Sequence, residues 1–194
     1  MTEIQYLLWD FGDTLVDQRW MWPSPDGVPG WTARFQALID TELDERWMRG
    51  ETTTGEVAAI FAVDLGTTPD ALMVHIEQLC RNVQFYEHAW IAAQARLRPQ
   101  AIVTLNADLF SSLIVPNYAL DSTFDEIVTS WEEHTLDKAH LCEIALERLG
   151  GRDPAHALLI DNIEENVDAW RARGGQAYLF RTDAEFLADG LPLA

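Results

Sequence analysis

Asp10 closes the apolar run Ile4 to Trp9 and opens the polar segment Asp10-Phe11-Gly12-Asp13-Thr14-Leu15. A run that is apolar almost throughout suits a strand buried on both faces. In an open parallel sheet, ligands bind at the carboxyl ends of the strands, so a carboxylate placed there can attack an electrophile or hold a metal ion. An ordinary turn with a helix N-cap at Asp13 or Thr14 explains the same residues without any chemistry. Two later apolar runs finish in the same way, Ala101 to Leu105 at Asn106 and Ala157 to Ile160 at Asp161. Strand ends of a parallel sheet share one edge, so Asp10, Asn106 and Asp161 are expected to converge there.

The remaining elements must place those ends together. Glu126 to Thr129 and Gln176 to Phe180 read as two more strands. Ala139 to Leu149 and a segment around Asn166 to Arg173 read as helices, stopped by Gly150-Gly151 and Gly174-Gly175. Strands alternating with helices imply a parallel sheet with right-handed crossovers. From Thr32 to about Ala95 the apolar residues recur at helical spacing without a clear strand, and Thr67-Thr68-Pro69-Asp70 carries a helix-start signal. Residues 21–31 hold three prolines and two glycines, which excludes helix and central strand and predicts a loop pinned by tryptophans. Trp20, Trp22 and Trp31 are expected to anchor that loop in the core, or else to wall a pocket for an apolar group. The expected fold class is α/β, a Rossmann-like parallel sheet with an inserted helical cap. Residues 1–15 and 96–194 form its core and residues 16–95 its cap.

Composition limits the partners. The chain has 194 residues, 48% of them hydrophobic, which is enough for one core and a small accessory unit. A formal net charge of -19 with no offsetting basic cluster repels nucleic acid and anionic membranes. No apolar run approaches the ~20 residues of a membrane span, and the N-terminus lacks a signal peptide's basic region, so a cytoplasmic location is expected. Cys80 and Cys142 sit in helix-like patterns and read as reduced core thiols. The five histidines show no ligand spacing, so no zinc site is expected. Such an acidic chain must neutralise an anionic substrate locally, by a metal ion or a well-placed lysine.

The order and spacing of these segments resemble the four motifs of the haloacid dehalogenase superfamily across nearly the whole chain. Asp10-Phe11-Gly12-Asp13-Thr14 is similar to the first motif, Asp-x-Asp-x-Thr, except that Gly12 stands where the family's phosphatases carry the second Asp and Asp13 follows one place later. Thr104-Leu105-Asn106 lies at the second motif, with Leu105 separating two residues that are often adjacent; either Thr104 or Asn106 then faces the site. Lys138 resembles the third-motif lysine, and Asp161-Asn162 the fourth-motif acid pair, with Asn162 replacing the second acid. The resemblance implies a Mg2+-assisted phosphatase for a small phosphorylated metabolite, acting through an aspartyl-phosphate. In it Asp10 is the nucleophile, Lys138 the charge stabiliser, Thr104 and Asn106 the phosphate binders, and Asp10, Gly12, Asp161 and Asn162 the metal set.

Gly12 qualifies that expectation. The second Asp protonates the leaving alcohol and later activates water, and such an acid/base contributes roughly 10² to 10⁴ in rate, or about 3 to 5 kcal/mol. Asp13 swinging into the role, a substrate with a good leaving group, and a catalytically weak or inactive binding module all fit its loss. The family's 2-haloacid dehalogenases also lack the second Asp, but Asp161-Asn162-Ile163 does not match their Ser-Ser-Asn motif. Oligomeric state is not legible in the sequence.

Overall fold

The structure, a computed structural model, describes residues 3–23 and 28–191. The five predicted strands are β1 (Tyr6–Trp9), β4 (Gln100–Thr104), β5 (Glu126–Thr129), β6 (Ala157–Asp161) and β7 (Gln176–Leu179). They form one sheet in the order β5-β4-β1-β6-β7, with every pairing parallel. Two further strands, β2 (Val16–Asp17) and β3 (Gln84–Phe85), pair antiparallel at the point where the chain leaves and rejoins the sheet. Two residues are too short to show an alternation, so neither strand is legible in the sequence.

Both faces of the sheet are covered, which is why its central strands read as continuous apolar runs. On one face Leu7, Trp9, Ile102 and Ile160 pack with Phe110, Phe124, Phe180 and the inserted helices. On the other, Leu8, Ala101, Val103 and Leu159 meet Leu141, Cys142, Ala145 and Trp170. Both cysteines are buried and free. The helices that cover this second face, Lys138–Arg148 and Glu164–Ala172, end before Gly150 (φ 83°) and Gly174 (φ 89°), where the chain adopts the left-handed conformation that glycine tolerates best.

Between β2 and β3 lie the helices Trp31–Gln36, Glu42–Met48, Thr54–Leu65 and Pro69–Cys80. Thr53 and Glu56 form a reciprocal capping box at the start of the third, and Thr68 caps the fourth with Pro69 in its first turn. Trp31 is buried at 1% exposure and donates its indole N–H to the Met21 carbonyl at 3.0 Å, so it anchors the tryptophan loop as expected. Residues 24–27 of that loop lie outside the described residues.

The inserted helices are tied to the sheet by polar contacts beside the strand ends. Asp108, just beyond β4, accepts hydrogen bonds from the Thr54 backbone at 2.9 and 3.1 Å, the Thr54 hydroxyl at 2.5 Å and the Trp47 indole at 3.2 Å. Ser130, just beyond β5, donates to the Met48 carbonyl at 2.7 Å. The next helix, Glu87–Gln94, is held from the other side, where Asp183 accepts the His88 and Ala89 backbone N–H groups at 2.9–3.1 Å. Among the described residues no single helix is long and apolar enough to cross a membrane.

Candidate active site

The strand order fixes where the site assembles. β1 lies between β4 and β6, so Asp10, Thr104 and Asp161 close three adjacent strands at the point where the connections diverge to the two halves of the sheet. Lys138 reaches them from the first position of its helix, whose N-cap Asp137 accepts the His140 N–H at 3.0 Å. Its ammonium lies 2.5 Å from Asp10 Oδ1 and 3.0 Å from Asp161 Oδ2, and all three side chains are 11% exposed or less. One buried cation therefore bridges two buried carboxylates, leaving a formal charge of minus one.

Asp161 is fully engaged. Besides Lys138 it accepts from the Ile163 backbone at 2.8 Å and from the Asn166 amide, which lies 3.2 Å from both oxygens. Asp10 is less so, and burial raises its pKa to about 6 against the opposing pull of Lys138, with the Asp161 charge adding to the rise. Burial opposes the Lys138 charge, yet Asp10 and Asp161 together hold its pKa above the ordinary lysine value. At neutral pH the site thus holds an ionised carboxylate and an ammonium in contact.

A cavity of about 190 Å³ opens over this cluster, bordered by Asp10, Gly12, Gln18, Thr104, Asn106, Lys138 and Asn162. Both second-motif candidates reach it, and they bond to each other, Asn106 Nδ2 to Thr104 Oγ1 at 3.0 Å. Both serve because residues two apart along an extended chain lie on the same side, so Thr104 and Asn106 need not exclude each other. Ser130 steadies that loop by accepting the Asn106 backbone N–H at 3.0 Å. Larger clefts, of about 450 and 670 Å³, open beside Arg98 and Arg152 at the amino ends of the strands, away from the carboxylates.

Asp13 does not join the cluster. It sits in the left-handed region (φ 51°), accepts the Gln18 backbone N–H at 3.0 Å and borders a different cleft, with Tyr86 and Arg181. The tight turn explains this, because the Phe11 carbonyl collects the N–H groups of Thr14, Leu15 and Val16 and the turn directs residue 13 outward. A swing of Asp13 into the acid's place, one of the three outcomes compatible with the loss of the second Asp, is not what the backbone provides. Gln18 stands there instead, since a Cβ built on Gly12 would meet Gln18 Oε1 at 2.6 Å.

An adjoining cavity of about 210 Å³ shares Gly12, Gln18, Leu105 and Asn106 with the first and is walled by Phe11, Trp20, Trp22, Phe35 and Leu38. Trp20 and Trp22 are half-buried and line it, unlike Trp31 in the core.

The expected metal set is changed by these contacts. Asp10, Gly12 and Asn162 border the cavity and offer oxygen donors of the kind Mg2+ takes, with one carboxylate among them. Asp161, counted with them in the sequence, spends its oxygens on Lys138, Ile163 and Asn166. Among the described residues no three His, Cys, Asp or Glu side chains gather as a metal cluster. The donors present fit a Mg2+ ion that draws further ligands from water and from an anionic substrate.

Sequence reasoning missed Gln18 and Ser130, and it named Asn166 without a partner. Asn166 was within reach, being five residues beyond Asp161 on the next helix, whereas nothing in spacing links Gln18 to Gly12.

No family model and no curated protein matches the chain. Solved structures do. A predicted HAD-like family hydrolase from Porphyromonas gingivalis is similar over 91% of both chains at 14% identity, with a TM-score of 0.69. The L-2-haloacid dehalogenase of Xanthobacter autotrophicus, with chloropropionic acid covalently bound, matches 90% of this chain and 76% of its own at 19% identity and a TM-score of 0.66. A HAD family enzyme from Bacteroides thetaiotaomicron, in complex with magnesium and inorganic phosphate, matches 90% of this chain and 93% of its own at 14% identity and a TM-score of 0.67. With 90–91% of this chain matched at TM-scores of 0.66 to 0.69, the chain has the fold of the haloacid dehalogenase-like hydrolases.

Proposed function

We propose that the chain is a phosphatase for small phosphate compounds with a readily departing leaving group, acting through an aspartyl-phosphate at Asp10. The observation that carries this reading is the buried Lys138 ammonium bridging Asp10 and Asp161 beneath a polar cavity at the carboxyl edge of the sheet. Lys138 takes Asp10 Oδ1, and no other side chain among the described residues donates to the carboxylate, which leaves Oδ2 to attack phosphorus. Lys138 holds Asp10 in place and offsets charge on the transferring group, while Asp161, fixed by Asn166 and Ile163, orients Lys138. Thr104 and Asn106 offer a hydroxyl and an amide to the phosphoryl oxygens.

Mg2+ held by Asp10, the Gly12 backbone and Asn162 would supply charge neutralisation on the phosphate. With a cluster charge of minus one in a chain of net charge -19, a dianionic substrate needs that help or a low affinity. The absence of an acid beside Asp10 limits turnover to leaving groups stable as anions, such as those of acyl or aryl phosphates.

A second reading rests on the outward placement of Asp13. With the acid position empty of any carboxylate and Asn162 in place of an acid, the cluster is also that of a binding module that has lost turnover. A third, alkyl substitution of a haloacid, uses the same carboxylate without an acid. Hydrolysis of an aryl and an acyl phosphate by the wild type and Asp10→Asn, with Mg2+ and with chelator, separates them. Metal-dependent phosphate release abolished by the substitution supports the phosphatase; no release supports the module; halide release from a 2-haloacid supports the dehalogenase.

A further inference from the structure

We propose that Gln18 is the residue that orients water for release of phosphate from Asp10, an assignment that rests on the phosphatase reading above. Gly12 lies two residues beyond Asp10 and presents no side chain, and the carboxamide oxygen of Gln18 fills the volume its side chain would occupy, 2.6 Å from an ideal Cβ. Gln18 borders both the cavity over Asp10 and Lys138 and the apolar cavity beside it. Its side-chain amide makes no hydrogen bond to another described residue, although its backbone is held by Asp13. The residue is exposed and belongs to a single turn, Gln18–Met21, so its side chain is free to swing toward a bound group.

A carboxamide differs from a carboxylate in the way that matters here. It accepts a hydrogen bond from water but takes no proton near neutral pH, and glutamine serves in phosphoryl transfer by orienting the attacking water. In the release step, the water oxygen bonds to phosphorus and the bond from phosphorus to Asp10 Oδ breaks. The electron pair stays on Asp10 as carboxylate. The proton passes from the water to a phosphoryl oxygen, and dihydrogen phosphate leaves. Gln18 Oε1 holds the water on the side opposite Asp10 throughout and is unchanged.

Two consequences follow for the substrate. The leaving group departs without receiving a proton from the protein, which selects aryl and acyl phosphates over alkyl esters. Its body lies across Gln18 from Asp10, against Phe11, Trp20, Trp22 and Phe35, so an apolar body is favoured. Release of phosphate then becomes the slow step, and phosphoenzyme accumulates.

Rapid-quench kinetics with p-nitrophenyl phosphate and acetyl phosphate test this on wild type, Gln18→Ala, Gln18→Glu and Asp10→Asn. Wild type is expected to show a burst of p-nitrophenol and an acid-stable phosphoryl label that Asp10→Asn abolishes. In Gln18→Ala the label decays more slowly, on the order of 10- to 100-fold, and accumulates to higher occupancy. Gln18→Glu restores decay and makes it rise with pH as the new carboxylate ionises. A label that decays at the same rate in Gln18→Ala and wild type overturns the role of Gln18 and leaves the phosphatase reading standing. Absence of any Asp10-dependent label overturns the phosphatase reading and the role of Gln18 with it.

Discussion

Replacing Lys138 by Met removes the cation that bridges two buried carboxylates. The Lys138 and Asp161 side chains are 2% and 0% exposed and that of Asp10 is 11%. Breaking a buried ion pair on one side leaves uncompensated charge and costs about 3 to 5 kcal/mol. For a domain of this size each kcal/mol moves the midpoint by roughly 2 to 4 °C, so thermal unfolding should fall by about 6 to 20 °C near neutral pH. The pH dependence gives the sharper test. Asp10 already has a folded-state pKa of about 6, above its ordinary value, and losing the Lys138 charge raises it further. A carboxyl group whose folded pKa is raised favours the folded state at low pH, and that advantage is lost as pH rises through the folded pKa. The Lys138→Met penalty should therefore be largest at about pH 8 and shrink toward about pH 5, where Asp10 protonates. Melting curves at the two pH values measure it. A penalty that is equal at both, or below about 2 °C at the higher pH, refutes the buried-pair reasoning. Asp10→Asn added to Lys138→Met should recover part of the loss, because one of the stranded charges is gone.

In the pH profile of kcat/KM, the acid limb should fall below about pH 6, because attack needs the ionised Asp10; a profile flat down to pH 4 would contradict that assignment. Gly12→Asp is expected to fold, since the 2.6 Å conflict is with the far end of the exposed Gln18 side chain. It should raise turnover of alkyl phosphates relative to aryl phosphates, roughly tenfold or more, a ratio read by steady-state rates on the two ester classes. Asp108→Ala strips acceptors from Thr54 and from the Trp47 indole and should cost about 1 to 3 kcal/mol in denaturant unfolding, with the Asp10 cluster left intact. Asn166→Leu removes two hydrogen bonds from Asp161 and should lower kcat more than it raises KM, through misplacement of Lys138.

The strands were legible because their signal is compositional. Leu7, Leu8 and Trp9 are all buried at 1% or less, and a strand covered on both faces leaves no polar positions to obscure the run. Helix ends were legible where a cap marks them, as at Thr68-Pro69 and Gly174. The ends of β1, β4 and β6 followed from topology, which placed Asp10, Thr104, Asn106 and Asp161 together once Lys138 was recognised by resemblance. The rest depends on geometry that no periodicity records. β2 and β3 are two residues each and are defined by pairing across the whole insertion, Val16 with Phe85 and Asp17 with Gln84. Asp13 is turned outward by the hydrogen bonds that converge on the Phe11 carbonyl. Gln18 returns to Gly12 by way of that same turn. These are tertiary consequences of a five-residue loop, and its sequence reads equally well as an ordinary cap.

A nucleophilic Asp10 carries the phosphoryl group covalently in the course of turnover. Incubation with acetyl phosphate and Mg2+, an acid quench and peptide mapping by mass spectrometry test it most directly. A phosphoryl group is expected on the peptide carrying Asp10, absent from Asp10→Asn and more abundant in Gln18→Ala. Phosphate release with no such adduct in either the wild type or Gln18→Ala, or an adduct that persists in Asp10→Asn, would contradict it.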